Sequence, residues 1–139
     1  MRFESTIRIA ASPERVWEVF SDVERWPEWA ESVTSVELAE PGPLKVGSRA
    51  KIKQPKLLTA VWEVIELVEG EHFAWVSRSP GVRVTGGHWV EAVPDGTACR
   101  LTIDQEGVLG PLMGRLTGKL TSRYLELEAE GLKARSEQA

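Results

Sequence analysis

GPLMGRLTGKLTSRYLELEAEGLKARS, residues 110–136, is the stretch on which the fold of this 139-residue chain turns. At about 100° per residue the segment is helical, with Leu109, Met113, Leu116, Leu120, Tyr124, Leu127 and Ala134 on one arc. Arg115, Lys119, Ser122, Glu126, Glu130 and Lys133 share the opposite arc, which makes the helix amphipathic. A third arc carries Gly110, Gly114, Thr117, Gly118 and Thr121, then Leu125 and Leu132. Glycine inside a helix costs about 1 kcal/mol relative to alanine, so several on one side need a cause. Either the helix packs very close to a strand there, or the missing side chains leave a void. Cover over both arcs is more than a flat sheet provides, and a sheet curled around the helix supplies it.

The chain upstream supplies that sheet. Phe3 to Ala10 alternates, with Phe3, Ser5, Ile7 and Ile9 on one face. Ser12-Pro13 starts a helix, the hydroxyl capping a free N–H and proline losing no bond at the first position. Val16, Trp17, Val19, Phe20 and Val23 are its buried stripe, and Pro27 to Ser32 reads as a second short helix. From Val33 to Gly107, turn signals at Pro41-Gly42-Pro43, Gln54-Pro55, Glu69-Gly70, Pro80-Gly81 and Asp95-Gly96 separate about six more strands. The expected fold is therefore α+β: a curved seven-stranded antiparallel sheet wrapped around a long C-terminal helix, with two short helices between strands 1 and 2. Residues 1–139 contain no repeat or linker and read as one domain.

Two-residue turns fix register. A Pro80-Gly81 turn sets Phe73 opposite His88, Trp75 opposite Gly86 and Arg78 opposite Arg83, with Gly86 leaving room for the indole. An Asp95-Gly96 turn sets Ala92 opposite Cys99, Val90 opposite Leu101, His88 opposite Ile103 and Glu91 opposite Arg100. Both point His88 inward. In the strand before, Trp62 and Val64 compete with Val61, Ile65 and Leu67 for the inner face, and a Glu69-Gly70 turn favours Trp62.

Composition excludes several functions. The net charge of −4 comes without a basic block of the kind that tracks phosphates, so no nucleic-acid partner is expected, and Lys45 to Lys56 reads as a solvated strand edge. Cys99 is the single cysteine, and with His72 and His88 the only histidines no metal site is expected. The sequence lacks an apolar span and a signal-like N-terminus, which leads to the expectation of a soluble, cytoplasmic protein. Six tryptophans against one tyrosine are unusual, and several of them suit a cavity wall.

The Ser12 to Trp29 helix pair, KQPKLLTAVWEVIEL from Lys53, HFAWVSRSPGV from His72, GGHWVEAVPDGTACRLTI from Gly86, and GPLMGRL with EAEGLK in the last helix together resemble the START-like superfamily. The likeness is to its helix-grip polyketide cyclase/dehydrase-like branch of small bacterial proteins and covers essentially the whole chain. It implies a cavity between sheet and last helix for a hydrophobic or aromatic small molecule, as in lipid carriers and aromatase/cyclases. Fold alone does not choose among those activities.

On that basis Trp62, Phe73, Trp75, Leu120 and Tyr124 are candidate apolar contacts, and His88 and Gln105 candidate orienting groups. No cofactor is expected. The enzyme alternative is a polyketide cyclase or dehydratase in which His88 moves a proton and Tyr124 or Gln105 polarises a carbonyl. Cys99 reads as an inert buried thiol, and Glu63, Asp104 and Glu106 as solvated charges. A third reading is an interaction module presenting Trp26, Trp29 and Trp89. The chain is expected as a monomer or homodimer.

Overall fold

The computed structural model describes residues 1–138. Strand β1 (Arg2–Ile9) leads into α1 (Pro13–Ser21), whose N-cap Ser12 Oγ accepts the Arg15 N–H at 3.2 Å. Val16, Trp17, Val19 and Phe20 form the buried stripe of α1. The second short helix is a 3₁₀ turn over Val23–Glu28, so it begins four residues earlier than Pro27. Trp26 is anchored in it by an indole N–H donated to Phe20 O at 2.9 Å.

Six further strands follow: β2 (Ser35–Leu38), β3 (Arg49–Lys53), β4 (Ala60–Val68), β5 (His72–Ser79), β6 (Val82–Val93) and β7 (Gly96–Glu106). They and β1 form one antiparallel sheet in the order β1-β7-β6-β5-β4-β3-β2. Its edges are β1 and β2, so the Lys45 to Lys56 segment is not a strand edge: β3 is covered on both sides.

The β5–β6 hairpin has the expected register, including Phe73 opposite His88, Trp75 opposite Gly86 and Arg78 opposite Arg83. A Cβ on Gly86 would stand 3.0 Å from Trp75 Nε1, so the indole occupies the space that glycine leaves. The β6–β7 register is displaced by two residues, with His88 opposite Leu101, Val90 opposite Cys99 and Trp89 opposite Arg100. The turn is centred on Pro94-Asp95, with Asp95 at φ 69°, as aspartate's tolerance of the left-handed region allows. Gly96 serves a different purpose: its Cβ would meet Ile9 O of β1 at 2.2 Å. A shift of two keeps every side chain on its face, so His88 still points inward.

In β4 the competition between two faces is resolved by a β-bulge between Val64 and Glu66. Ile65 is the extra residue; Val64 pairs with Trp75 before it and Leu67 with Phe73 after it, so Trp62 and Val64 face inward before the bulge and Leu67 after it, while Val61 is left exposed.

Helix α2 (Gly110–Ser136) lies on the inner face, mainly over β1 and β7, and also touches α1 and β6. The face that packs is the glycine arc and its continuation: Gly110, Gly114, Leu125, Ala129, Leu132 and Ser136 are buried. The leucine arc is not the packed face: Leu109, Leu116 and Ala134 on it are exposed, and Met113, Leu120, Tyr124 and Leu127 are only half-buried. The small residues explain the rotation. A Cβ on Gly114 would reach Met1 Sδ at 2.4 Å, one on Gly118 would sit 3.4 Å from the Phe3 ring, and one on Gly131 would fall 2.0 Å from Trp29 O. Close packing is therefore the reason for the glycines, and the helix lies off-centre toward β1.

Candidate functional site

Because α2 is displaced toward β1 and β7, space remains between it and the inner face of β3 to β6. A cavity of about 200 Å³ lies there, walled by Trp26, Trp62 and Trp75, with Ile52, Ile103 and Leu125. Its helix side is Met113, Thr117, Thr121, Tyr124 and Glu128. The glycine-threonine arc thus divides its work, glycines against the strands and threonines along the cavity.

Of the residues expected from sequence, Trp62, Trp75, His88, Gln105 and Tyr124 line this cavity. Phe73 is fully buried behind it in the core, and Leu120 is not among the lining residues. Trp62 leans on Trp75 at 6.0 Å between ring centroids, and Trp26 on Trp75 at 5.3 Å, so the three indoles make a continuous wall.

His88 sits in an aromatic cage. Phe73 stacks on it at 4.1 Å, and Phe20, Trp26 and Trp75 meet its edges at 5.1, 5.5 and 5.4 Å. Its Nδ1 is 3.1 Å from Phe73 O, a carbonyl that only accepts, so Nδ1 carries the proton and Nε2 is a bare acceptor. Burial lowers its pKa to about 3, partly opposed by that hydrogen bond, and the ring is neutral at ordinary pH.

Gln105 is fixed by a short chain of bonds. Thr117 Oγ1 donates to Met113 O at 2.8 Å, leaving its oxygen to accept from Gln105 Nε2 at 3.2 Å. That orients the amide and leaves Oε1 buried without a partner. Tyr124 donates its hydroxyl to Pro55 O, which ties the β3–β4 loop to α2 at the rim. Gln54 Nε2 bonds Ser32 O at 3.2 Å and joins the same loop to the segment after the 3₁₀ turn.

Glu128 is the residue that sequence reasoning overlooked. Its carboxyl pKa is raised to about 8, the cause being burial alone. The signal was available, since Glu128 follows Tyr124 by four residues and Thr121 by seven and so shares their face. Trp26 was also misjudged as surface: it is buried, with its donor satisfied. Trp29 is half-buried, and Trp89 is sandwiched on the outer face between His72 at 5.9 Å and Arg100 at 4.3 Å. These three tryptophans do not form one exposed patch. Cys99 is buried, and burial pushes its thiol up to about 12, so it is no nucleophile. Asp104 and Glu63 are held by Arg2 and Arg49. No group of three or more metal-ligating side chains occurs among the described residues, and no described helix is long and apolar enough to cross a membrane.

Known proteins share this architecture. TTHA0849 from Thermus thermophilus superposes with a TM-score of 0.78 at 22% identity, covering 98% of this chain and 97% of that one. The Zhui aromatase/cyclase from a Streptomyces species gives 0.80 at 17% identity, over 99% of this chain and 93% of that one. A START superfamily protein from Mycobacterium smegmatis gives 0.70 at 21% identity, over 99% and 97%. In sequence, uncharacterized proteins of Mycobacterium tuberculosis and Mycobacterium bovis are 29% identical over 104 residues, 72% of this chain and 61% of theirs. The chain thus spans about three fifths of the length of those relatives. The family model for polyketide cyclase / dehydrase and lipid transport proteins matches residues 1–137, nearly the whole chain, and shows that this chain belongs to that family.

Proposed function

We propose that the chain binds a small, compact hydrophobic or aromatic molecule in the cavity between the sheet and α2. The observation that carries this reading is the cavity itself: six tryptophans do not fill it, and about 200 Å³ remains behind a wall of three indoles. That is below the roughly 300–1,000 Å³ usual for drug-sized ligands, which favours one or two fused rings or a short chain. Thr117, Thr121, Gln105 and Glu128 are the polar groups that would orient it.

The test is native mass spectrometry of freshly purified protein for a retained molecule, followed by titration of tryptophan fluorescence with 1-naphthol. Saturable quenching is expected, weakened at least tenfold by Thr121→Phe, which fills the cavity, while circular dichroism is unchanged. No retained molecule and no saturable quenching would sink the reading.

A second reading, a cyclase or dehydratase acting on a polyketide-like substrate, draws on the family and on Glu128. His88 is a poor proton donor with a pKa near 3, whereas Glu128, with a pKa of about 8, keeps a proton at neutral pH and has it to give. Turnover abolished by Glu128→Gln with 1-naphthol affinity retained would separate this enzyme from a carrier.

A further inference from the structure

Three stretches of the sequence, 41–62, 72–90 and 107–125, contain no acidic residue. They hold five, two and three of the 17 lysines and arginines, while all 21 aspartates and glutamates lie elsewhere. The antiparallel order brings the β3–β4 loop, the β5–β6 turn and the β7–α2 junction, one from each stretch, to the same end of the sheet. Lys53, Lys56, Arg78, Arg83, Arg115 and Lys119 stand there, none in an ion pair among the described residues. The acids near this end are Asp104, held by Arg2, Glu106, opposite Arg83 in the register, and exposed Glu31, next to the Ser32 that bonds Gln54 of the β3–β4 loop.

The same end is apolar at its tip. Leu58 is 94% exposed, Val108 91% and Leu116 76%, and Leu57, Leu109 and Leu112 are also exposed. Together with Met1 these are seven of the ten large hydrophobics exposed among the described residues. The rotation of α2 that turns its glycines to β1 is what turns these leucines out. Leu112, Leu116, Lys119 and Arg123 follow one another at three- and four-residue spacing, so the cations flank the leucines along the helix. The opposite end carries the Glu69-Gly70-Glu71 and Asp95 turns and the acidic residues of α1; of its cations, Arg15, Lys133 and Arg135 are held in ion pairs with Glu18, Glu137 and Glu28, so the unpaired cations concentrate at the Leu58 end.

We infer that this end docks on an anionic phospholipid surface, Leu58 and Leu116 entering the interface while the surrounding lysines and arginines meet the headgroup phosphates. The apolar side chains project from three separate segments, and of them only Leu57 lines a cavity, which fits a fluid surface better than a shaped protein partner. Leu57 belongs both to this tip and to the cavity wall, so the docked face includes the cavity rim. The inference stands whether or not the cavity holds a ligand.

Co-sedimentation with vesicles tests it, comparing phosphatidylcholine containing about a third phosphatidylglycerol with phosphatidylcholine alone. Most of the protein is expected to pellet with the anionic vesicles at low salt and at least fivefold less in half-molar sodium chloride, where screening is short-ranged. Lys56→Glu with Lys119→Glu, and separately Leu58→Asp with Leu116→Asp, should each lower binding at least fivefold with an unchanged melting curve. Equal binding to both vesicles, or binding indifferent to both double variants, overturns the inference. So does absence of vesicle binding, including the case in which sedimentation velocity shows a dimer that Leu58→Asp with Leu116→Asp dissociates; the tip would then be a contact between copies.

Discussion

The carboxyl of Glu128 makes no hydrogen bond or ion pair among the described residues and faces an apolar cavity, and its pKa of about 8 reflects that burial. Its unfolded value is near 4.5, so between those two pH values the folded protein keeps a proton that the unfolded chain has released. Stability from this group is complete below that window and falls as pH rises through it. Glu128→Gln removes the titration. The variant is expected to be more stable than the parent by about 1–2 kcal/mol at pH 8, a figure lowered from the full linkage value because water reaches the cavity, with the difference narrowing toward pH 5. Urea midpoints at the two pH values check this; a difference independent of pH would show that the carboxyl is not buried in its charged form. His88 works in the opposite direction. Its folded pKa lies below its unfolded value of 6.5, so its contribution is complete above 6.5 and is lost as pH falls toward 3.

At the scale of the element, the four glycines of α2, facing β1, β7 and Trp29, are not equivalent. Gly131 lies against a backbone carbonyl, Trp29 O, which has no flexible end to swing away, whereas Gly118 meets the Phe3 ring at ordinary contact distance. Gly131→Ala is therefore expected to destabilise by about 3 kcal/mol or more through displacement of the Trp29 segment. Gly118→Ala should be neutral or stabilise by up to about 1 kcal/mol through helix propensity. Chemical denaturation of the two variants checks the pair, and equal effects would show that helix propensity governs both sites. The elements themselves were legible because turn chemistry and alternation are local: Pro80-Gly81 gave the β5–β6 pairing residue for residue. The failures came from distant contacts. Gly96 looks like a turn glycine until β1 passes beside it, and the β4 bulge has no glycine to announce it. Likewise, the rotation of α2 is decided by Met1 and Phe3, more than a hundred residues away, and the leucine arc gave the wrong face.

At the scale of the whole molecule, what closes the cavity is a loop held by few bonds. The six residues between β3 and β4 carry exposed Lys56, Leu57 and Leu58, and Leu57 stands over the cavity. The loop is tied to α2 by the Tyr124 hydroxyl on Pro55 O, and to the segment after the 3₁₀ turn by Gln54 on Ser32 O. Both bonds are side chain to backbone, and neither is part of the sheet ladder, so the loop is placed to open without disturbing the strands on either side. Tyr124→Phe keeps the ring on the cavity wall and removes the bond to Pro55. Global stability should fall by only about 0.5–1.5 kcal/mol, the net worth of one hydrogen bond. Amide hydrogen exchange over residues 54–59 should rise about tenfold, with β5 and β6 unchanged. If the loop is the entry, release of 1-naphthol should quicken while its equilibrium affinity changes little, because the variant keeps the ring on the cavity wall and removes only the bond that holds the loop shut. Faster exchange without faster release would place the entry elsewhere, and the part of the cavity wall formed by Val84 and Met113 would be the next place to test.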